Sequence, residues 1–271
     1  MKFLTYAEVK PFFAGKSVAV VGSGPGVLEN APGFVDSHDV VVRVNNYKTG
    51  PQAGFRTDVH YSFFGGSIRV TADQLRGAKV KLCMCKCPNS QPIESQWHRD
   101  NQAMNGVDFT YIYRARQGWW PSDTFVPDEE HFLRSFELLG RHIPTTGFAA
   151  ILDVIGCEPA SLYLTGFDFF SSGLHNVDEK WRPGNTADPI GHVPQLEAQK
   201  LLGMVLHPPI CGISHLPIHY DRVVGEVLEK FAGDLKSAAA AERSPPVGNT
   251  GDGLEFGDPS PSGNDTFGHV A

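Results

Sequence analysis

Positive charge is in short supply in these 271 residues: 23 Lys and Arg face 30 Asp and Glu, a formal net charge of −7. A protein that grips nucleic acid needs a basic footprint to exchange for counterions, so nucleic acid is excluded as a partner. An anionic small molecule is not excluded, because a few local donors can hold one against an acidic background. Long apolar runs are missing as well. None approaches the ~18 residues of a membrane span. The opening Met1-Lys-Phe-Leu-Thr-Tyr-Ala-Glu-Val-Lys10 is too short and too charged for a signal peptide. The chain therefore reads as soluble and cytoplasmic. Cysteine is sparse, five in all. Cys83, Cys85 and Cys87 alternate, so a strand would set them on one face, as small buried side chains or as part of a metal site that still needs a fourth ligand. Cys211, His215 and His219 have a spacing a helix could stack, but Pro208, Pro209 and Pro217 oppose a helix there.

What the chain does have is short β-branched runs separated by helical stretches. Residues 2 to 15 read as a helix with Gly15 suited to its C-terminal cap. Strands are expected at Ser17 to Gly22, Asp39 to Asn45, Thr57 to Phe64, Lys79 to Cys87, Phe109 to Tyr113 and Ser161 to Gly166. Helices are expected from Phe148 to Ile155, from about Gln195 to Leu206 with Pro194 at its start, and from Tyr220 to Leu235. Near-continuous apolar strands between helices indicate a mainly parallel sheet covered by helices, an α/β doubly wound architecture whose ligand crevice lies at the carboxyl ends of the strands. Residues 1–236 form one domain on this reading. After Lys236 the composition shifts to Ala, Ser, Pro, Gly, Asn and Asp, and residues 237–271 read as a disordered tail.

Three clusters fall where such a sheet would place a ligand. Gly22-Ser-Gly-Pro-Gly26 follows the first strand, and glycines at a strand-to-helix turn let a backbone approach phosphate or sugar closely. The dinucleotide fingerprint fails in detail, with Val27 at its third glycine and no acidic residue after Arg43-Val-Asn45. Pro144-Thr-Thr-Gly147 opens the apolar helix, either as a plain capping turn or as a set of amides for a carboxylate or phosphate. Thr165-Gly-Phe-Asp-Phe-Phe170 leads through His175 to Gly191-His-Val-Pro-Gln-Leu-Glu197. A histidine there serves either as a structural group or as the base for a sugar hydroxyl.

In order and spacing these clusters resemble the motifs of the sialyltransferases. Val18-Ala-Val-Val-Gly-Ser-Gly through Asp36 to Asn45 resembles the large sialyl motif of the animal and plant family, and Pro144-Thr-Thr-Gly through Cys157 to Tyr163-Leu-Thr-Gly-Phe167 the small one. His192 followed five positions on by Glu197 is similar to the very short motif. Gly22-Ser-Gly-Pro, Thr165-Gly-Phe-Asp-Phe and Gly191-His192 also look like the bacterial enzymes of the same plan. The resemblance implies a modified Rossmann-type fold (a GT-A-like variant), a CMP-sugar donor carrying sialic acid or a related keto-sugar acid such as Kdo, a glycan acceptor, inversion at the anomeric carbon, and no metal or other cofactor. It implies that Gly22, Ser23, Gly24, Asn45 and Ser62 line the nucleotide site and that Thr145, Thr146 and Gly147 hold phosphate or carboxylate. Thr165, Gly166, Phe167 and Asp168 would cradle the cytidine, with His192 as general base and His175 beside the leaving group. The family usually carries Asn where Ser23 stands, and Val18 replaces the first cysteine of its disulfide, leaving Cys157 unpaired. The sequence contains no Asp-x-Asp pair of the kind many metal-dependent transferases use. Peripheral attachment to a membrane, or the Golgi lumen for a domain trimmed of its anchor, are the alternative locations. A dinucleotide-binding oxidoreductase and a catalytically silent sugar-nucleotide module are the alternative functions. Trp97, Trp119 and Trp120 are open to two roles, stacking on a sugar or packing a loop.

Overall fold

Val and Leu recur in the central strands because those strands are buried on both faces. The computed structural model describes residues 2–63, 68–86, 122–171, 174–176, 179–180, 192–206 and 216–243. Its main sheet contains β1 (Phe3–Leu4), β2 (Ser17–Val21), β3 (Val40–Val44), β4 (Val59–Ser62), β5 (Leu82–Cys85), β6 (Asp123–Phe125), β7 (Ser161–Thr165) and β10 (Ile218–Tyr220). The order across the sheet is β1-β6-β5-β4-β3-β2-β7-β10, and every pairing in it is parallel. A separate antiparallel hairpin joins β8 (Leu174–Asn176) to β9 (Glu179–Lys180). The helices are α1 (Tyr6–Phe13), α2 (Ala72–Gly77), α3 (Glu129–Leu138), α4 (Thr146–Gly156), α5 (Pro194–Leu206) and α6 (Arg222–Arg243).

Alternation along the central strands sorts their side chains into two cores. Val18, Val20, Val42, Leu162 and Leu164 join Phe13 of α1, Phe148 and Ile151 of α4, Leu201 of α5 and Leu228 of α6 in the larger one. Ala19, Val21, Val41 and Tyr163 face the other way, onto Val27 and Val35. Two short 3-10 turns, Pro25–Glu29 and Val35–Ser37, carry those two valines. Helices therefore cover one face at the centre of the sheet, while 3-10 turns and loop cover the other. Nearly all of α4 is buried, as expected for a helix apolar all round. Its one buried carboxylate, Asp153, is satisfied by His131 Nε2–H at 2.7 Å and by the Tyr61 hydroxyl at 2.7 Å.

The winding creates a switch point. The chain lays down β2 to β6 in one direction, then crosses back to place β7 on the opposite side of β2. Strands β2 and β7 are parallel neighbours, and the switch point between them is where this architecture places a ligand, at the carboxyl ends of the strands.

Several expectations need correction. The first helix begins at Tyr6, because Phe3–Leu4 pairs with β6 and Thr5 and Glu8 form a capping box at the helix start. Gly15 lies one residue beyond the C-cap Ala14, with φ +70°. The last helix continues past Leu235 to Arg243, since Ala238 to Ala241 are the strongest helix formers and outweigh the shift in composition. The strand expected at Phe109 to Tyr113, most of the segment from 237 onward, Cys87, Cys211, His215 and the three tryptophans lie outside the described residues. Cys83 and Cys85 share one buried face, packed with Leu75 and Val80. Burial pushes the Cys83 thiol up to about 11, so it is a packing group at neutral pH. Among the described residues no helix is long and apolar enough to cross a membrane.

Candidate active site

Two glycine turns meet at the switch point. Gly22 N–H donates to Thr165 O at 2.8 Å and Gly24 N–H to Gly166 O at 2.9 Å. A Cβ on Gly22 would lie 2.3 Å from Gly166 O, and one on Gly24 would lie 2.8 Å from the same oxygen. Gly166 itself has φ +75°. The first duty of these glycines is backbone against backbone, a contact no side chain could share. The Phe167 ring is wedged beside them: a Cβ on Gly22 would come 3.1 Å from its Cδ1, and one on Gly147 would come 2.8 Å from its Cε1. Three clusters far apart in sequence are thereby brought onto one aromatic ring.

Behind the β7 turn lies a buried polar network that the sequence reading missed. Asp221, which is 6 % exposed, accepts from the Thr165 hydroxyl at 2.7 Å, Gly166 N–H at 2.8 Å and Val224 N–H at 2.8 Å. Asn30 donates to Thr165 Oγ1 at 3.0 Å and accepts from the Tyr163 hydroxyl. Thr165 is thus fully buried and anchors the turn from within. Beyond Gly166 the backbone of Phe169 and Phe170 is left-handed, with φ of +49° and +58°. Asp168 holds that bend, its Oδ1 accepting from Phe170 N–H at 3.1 Å. Consecutive non-glycine residues in this region cost of order 1–3 kcal/mol each and cluster at functional sites.

Asn45 is presented at the end of β3 in the same way. Its φ is +49°, its N–H donates to Tyr61 O at 2.9 Å, and its carbonyl accepts from His60 Nε2–H at 3.0 Å. His60 is fully buried, and desolvation lowers its pKa to about 4 despite that bond, so it stays neutral and holds Asn45 in place. Ser23 is half-buried, whereas Ser62 is fully buried at the end of β4, where its carbonyl accepts from Lys86 N–H at 3.0 Å.

At the start of α4, Thr145 is the N-cap and its Oγ1 accepts from Phe148 N–H at 3.1 Å. Two residues of the His192-to-Glu197 segment clasp this turn. His192 Nδ1 lies 2.7 Å from Ile143 O, and Glu197 takes Thr145 N–H at 2.5 Å and the Thr145 hydroxyl at 2.7 Å. A carbonyl has no proton to give, so Nδ1 carries the hydrogen and the neutral ring keeps its basic lone pair on Nε2. His192 is exposed while Glu197 is only 1 % exposed. Burial raises the Glu197 pKa to about 7, opposed by its bonds to Thr145 and by the Lys86 charge. Thr146 is buried and Gly147 half-buried under the Phe167 ring. The backbone of His175 lies on β8, and its side chain lies outside the described part.

Of the groups found only in the structure, Asp221 had a visible trace, since an Asp directly before an apolar-periodic helix is a capping signal. Nothing in the sequence linked it to the β7 turn. His60, Asn30 and Lys86 carried no such mark.

No family model matches the chain, and no curated protein matches it in sequence. Solved structures with a similar chain path include the Campylobacter jejuni sialyltransferase CstII in complex with CMP-3FNeuAc, at 15 % identity over 75 % of this chain and 79 % of that one, TM-score 0.43. The apo α-2,3-sialyltransferase from Campylobacter jejuni is 17 % identical over 76 % and 75 %, TM-score 0.45. A mammalian sialyltransferase is 18 % identical over 77 % and 70 %, TM-score 0.44. A likeness this loose assigns no activity, which has to come from the residues.

Proposed function

We propose that this chain is a glycosyltransferase that moves sialic acid, or a related keto-sugar acid such as Kdo, from a CMP donor to a hydroxyl of a glycan acceptor. The observation that carries the reading is the position of His192. It is exposed, bonded through Nδ1 to Ile143 O, and set against the same turn that begins α4 at Thr145. A neutral imidazole so oriented can take the acceptor's proton at Nε2 as its oxygen attacks the anomeric carbon. Attack from the face opposite the departing CMP inverts that carbon. The leaving phosphate gains charge as the bond breaks, and the amides of Thr146 and Gly147 at the α4 N-terminus, with the helix dipole, favour charge there. Gly22, Ser23, Gly24 and Asn45 on one side, and Gly166, Phe167 and Asp168 on the other, would form the cytidine-binding side, with the fully buried Ser62 and Thr165 contributing through backbone placement alone. His175 remains the candidate to protonate the leaving phosphate. With no Asp-x-Asp pair in the sequence, the reaction is assigned to protein donors without a divalent ion or other cofactor.

The test is a screen of CMP-activated sugars with product detection, run with and without EDTA, alongside thermal shifts with CMP, NAD and UDP. Transfer or donor hydrolysis insensitive to EDTA, with a midpoint raised by CMP alone, is the expected result. A shift with NAD equal to that with CMP would favour a dinucleotide enzyme. CMP binding without turnover would mark a silent binding module.

A further inference from the structure

The bond between Thr145 and Glu197 contains a choice that a single proton decides. Thr145 Oγ1 accepts from Phe148 N–H at 3.1 Å and lies 2.7 Å from Glu197 Oε2. A hydroxyl has one hydrogen and two lone pairs. While Glu197 is ionised it can only accept, so the Thr145 hydrogen must point at Oε2. Once the carboxyl is protonated, Oε2–H donates to Oγ1. Phe148 N–H and Glu197 O–H then fill both lone pairs, and the Thr145 hydrogen is released to another acceptor. Thr145 N–H continues to donate to Oε1 in either state. Thr145 is half-buried, whereas Glu197 is only 1 % exposed.

We propose that Thr145 and Glu197 form a proton-linked donor switch, in which protonation of Glu197 frees the Thr145 hydroxyl to donate to the phosphate or carboxylate of the bound sugar nucleotide. The switch rests on the donor reading above. Binding of the anionic donor then takes up one proton from solvent onto Glu197, and by linkage donor affinity falls as pH rises through its titration. The surroundings suit such a titration. Glu197 is buried on α5, and the opposing charge that acts on it is Lys86 at the end of β5. The first turn of α4 brings no acidic residue, and His192, ahead of α5, is turned by its Nδ1 to Ile143 O. Burial against these bonds places the carboxyl at about 7, inside the working range.

The probe is cytidine 5′-(methyl phosphate), a diester that lacks the second phosphate ionisation near pH 6 and so adds no proton of its own. Calorimetric titration near pH 7 in two buffers of different ionisation heat should show uptake of a substantial fraction of a proton. Affinity should fall by up to about tenfold per pH unit above the midpoint. In Glu197→Gln the amide N–H can donate to Oγ1 permanently, mimicking the protonated state, so binding should be tight, independent of pH and without proton uptake. In Thr145→Val binding should weaken, and adding Glu197→Gln to that background should restore little. Equal gains from Glu197→Gln with and without the Thr145 hydroxyl would overturn the switch, leaving charge repulsion as the cause. Binding by the wild-type protein with no proton uptake would also overturn it while leaving the donor reading intact. No binding of the probe or of CMP would sink the donor reading and the switch with it. If Glu197→Gln fails to fold, the wild-type proton count and the Thr145→Val affinity decide between these outcomes.

Discussion

His192 and Gly22 hold their places for opposite reasons, one because a side chain is needed and the other because none fits. His192→Ala should lower transfer by roughly 10²–10⁴-fold, the range for a positioned general base, while CMP affinity stays near normal. Turnover, CMP affinity and melting temperature measured on one sample separate this from a packing role, in which activity would fall only with the folded fraction. Gly22→Ala acts through stability. Its methyl would meet Gly166 O at 2.3 Å, so the β2 and β7 turns must separate. Because the obstacle is backbone, we expect a loss of about 1–3 kcal/mol or more in urea unfolding, with CMP binding impaired as well. Gly233→Ala is the control, since a Cβ there meets nothing within 4 Å. An unchanged urea midpoint in Gly22→Ala would show that the turns do not pack as described.

At the scale of elements, Asp221 ties the start of α6 to the turn after β7. One carboxylate oxygen caps the helix through Val224 N–H, and the other receives the Thr165 hydroxyl and Gly166 N–H. Asp221→Ala removes both and leaves buried donors without partners, which should cost about 2–4 kcal/mol. Asp221→Asn keeps an oxygen for the cap but turns an N–H toward Gly166 N–H, so about half that loss should remain, together with weaker CMP binding. Equal stability of the Asn variant and the wild type would reduce Asp221 to a plain cap. The elements themselves were unevenly legible. β2, β3, β4, β5 and β7 were visible as short, largely apolar runs because burial on both faces limits the polar residues in them. β1 and β6 were not, since two or three residues carry no period and what makes them strands is each other, Phe3 pairing with Thr124. The order of the glycine, threonine and histidine clusters could be read directly. That Gly22 faces Gly166, and that Gly22 and Gly147 both lie against Phe167, depends on β7 crossing back beside β2, and local sequence does not encode that step. The tie from Asp221 to the β7 turn, and the roles of Asn30 and His60, stayed hidden for a related reason: each supports a site residue from behind, through partners distant in sequence.

For the whole molecule these buried groups combine into a stability profile with a definite shape. His60 has a folded pKa lowered by desolvation to about 4, below its unfolded value of 6.5. The unfolded chain then binds the extra proton, so this group makes stability rise with pH from about 4 to 6.5. Glu197 has the opposite sign, because its folded pKa is raised by burial from 4.5 to about 7. The folded chain holds that proton longer, so stability falls as pH climbs through that window. His131 adds to the fall. Desolvation opposes its charge, but the bond to Asp153 prevails and raises its pKa above 6.5, so its contribution is full below 6.5 and is lost as pH rises through the folded value. Between pH 4.5 and 6.5 the His60 and Glu197 effects largely offset one another, each worth on the order of 3 kcal/mol across its window. Below 4.5 His60 acts without that offset, joined by Asp58, whose pKa is lowered by its bonds to Lys81 and Val41 against desolvation. Above 6.5 Glu197 and His131 act without it. Stability should therefore be broadest at mildly acidic pH, falling steeply below about pH 4.5 and more gently through neutrality. Urea midpoints taken across that range should show both limbs. Glu197→Gln removes one titrating group from the neutral limb and should leave the His131 slope there, so the limb becomes shallower than in the wild type. His60→Gln can keep a donor to Asn45 O but cannot take a second proton, so it should soften the acid limb. A neutral limb as steep in Glu197→Gln as in the wild type would mean that Glu197 is already ionised in the folded protein well below pH 7.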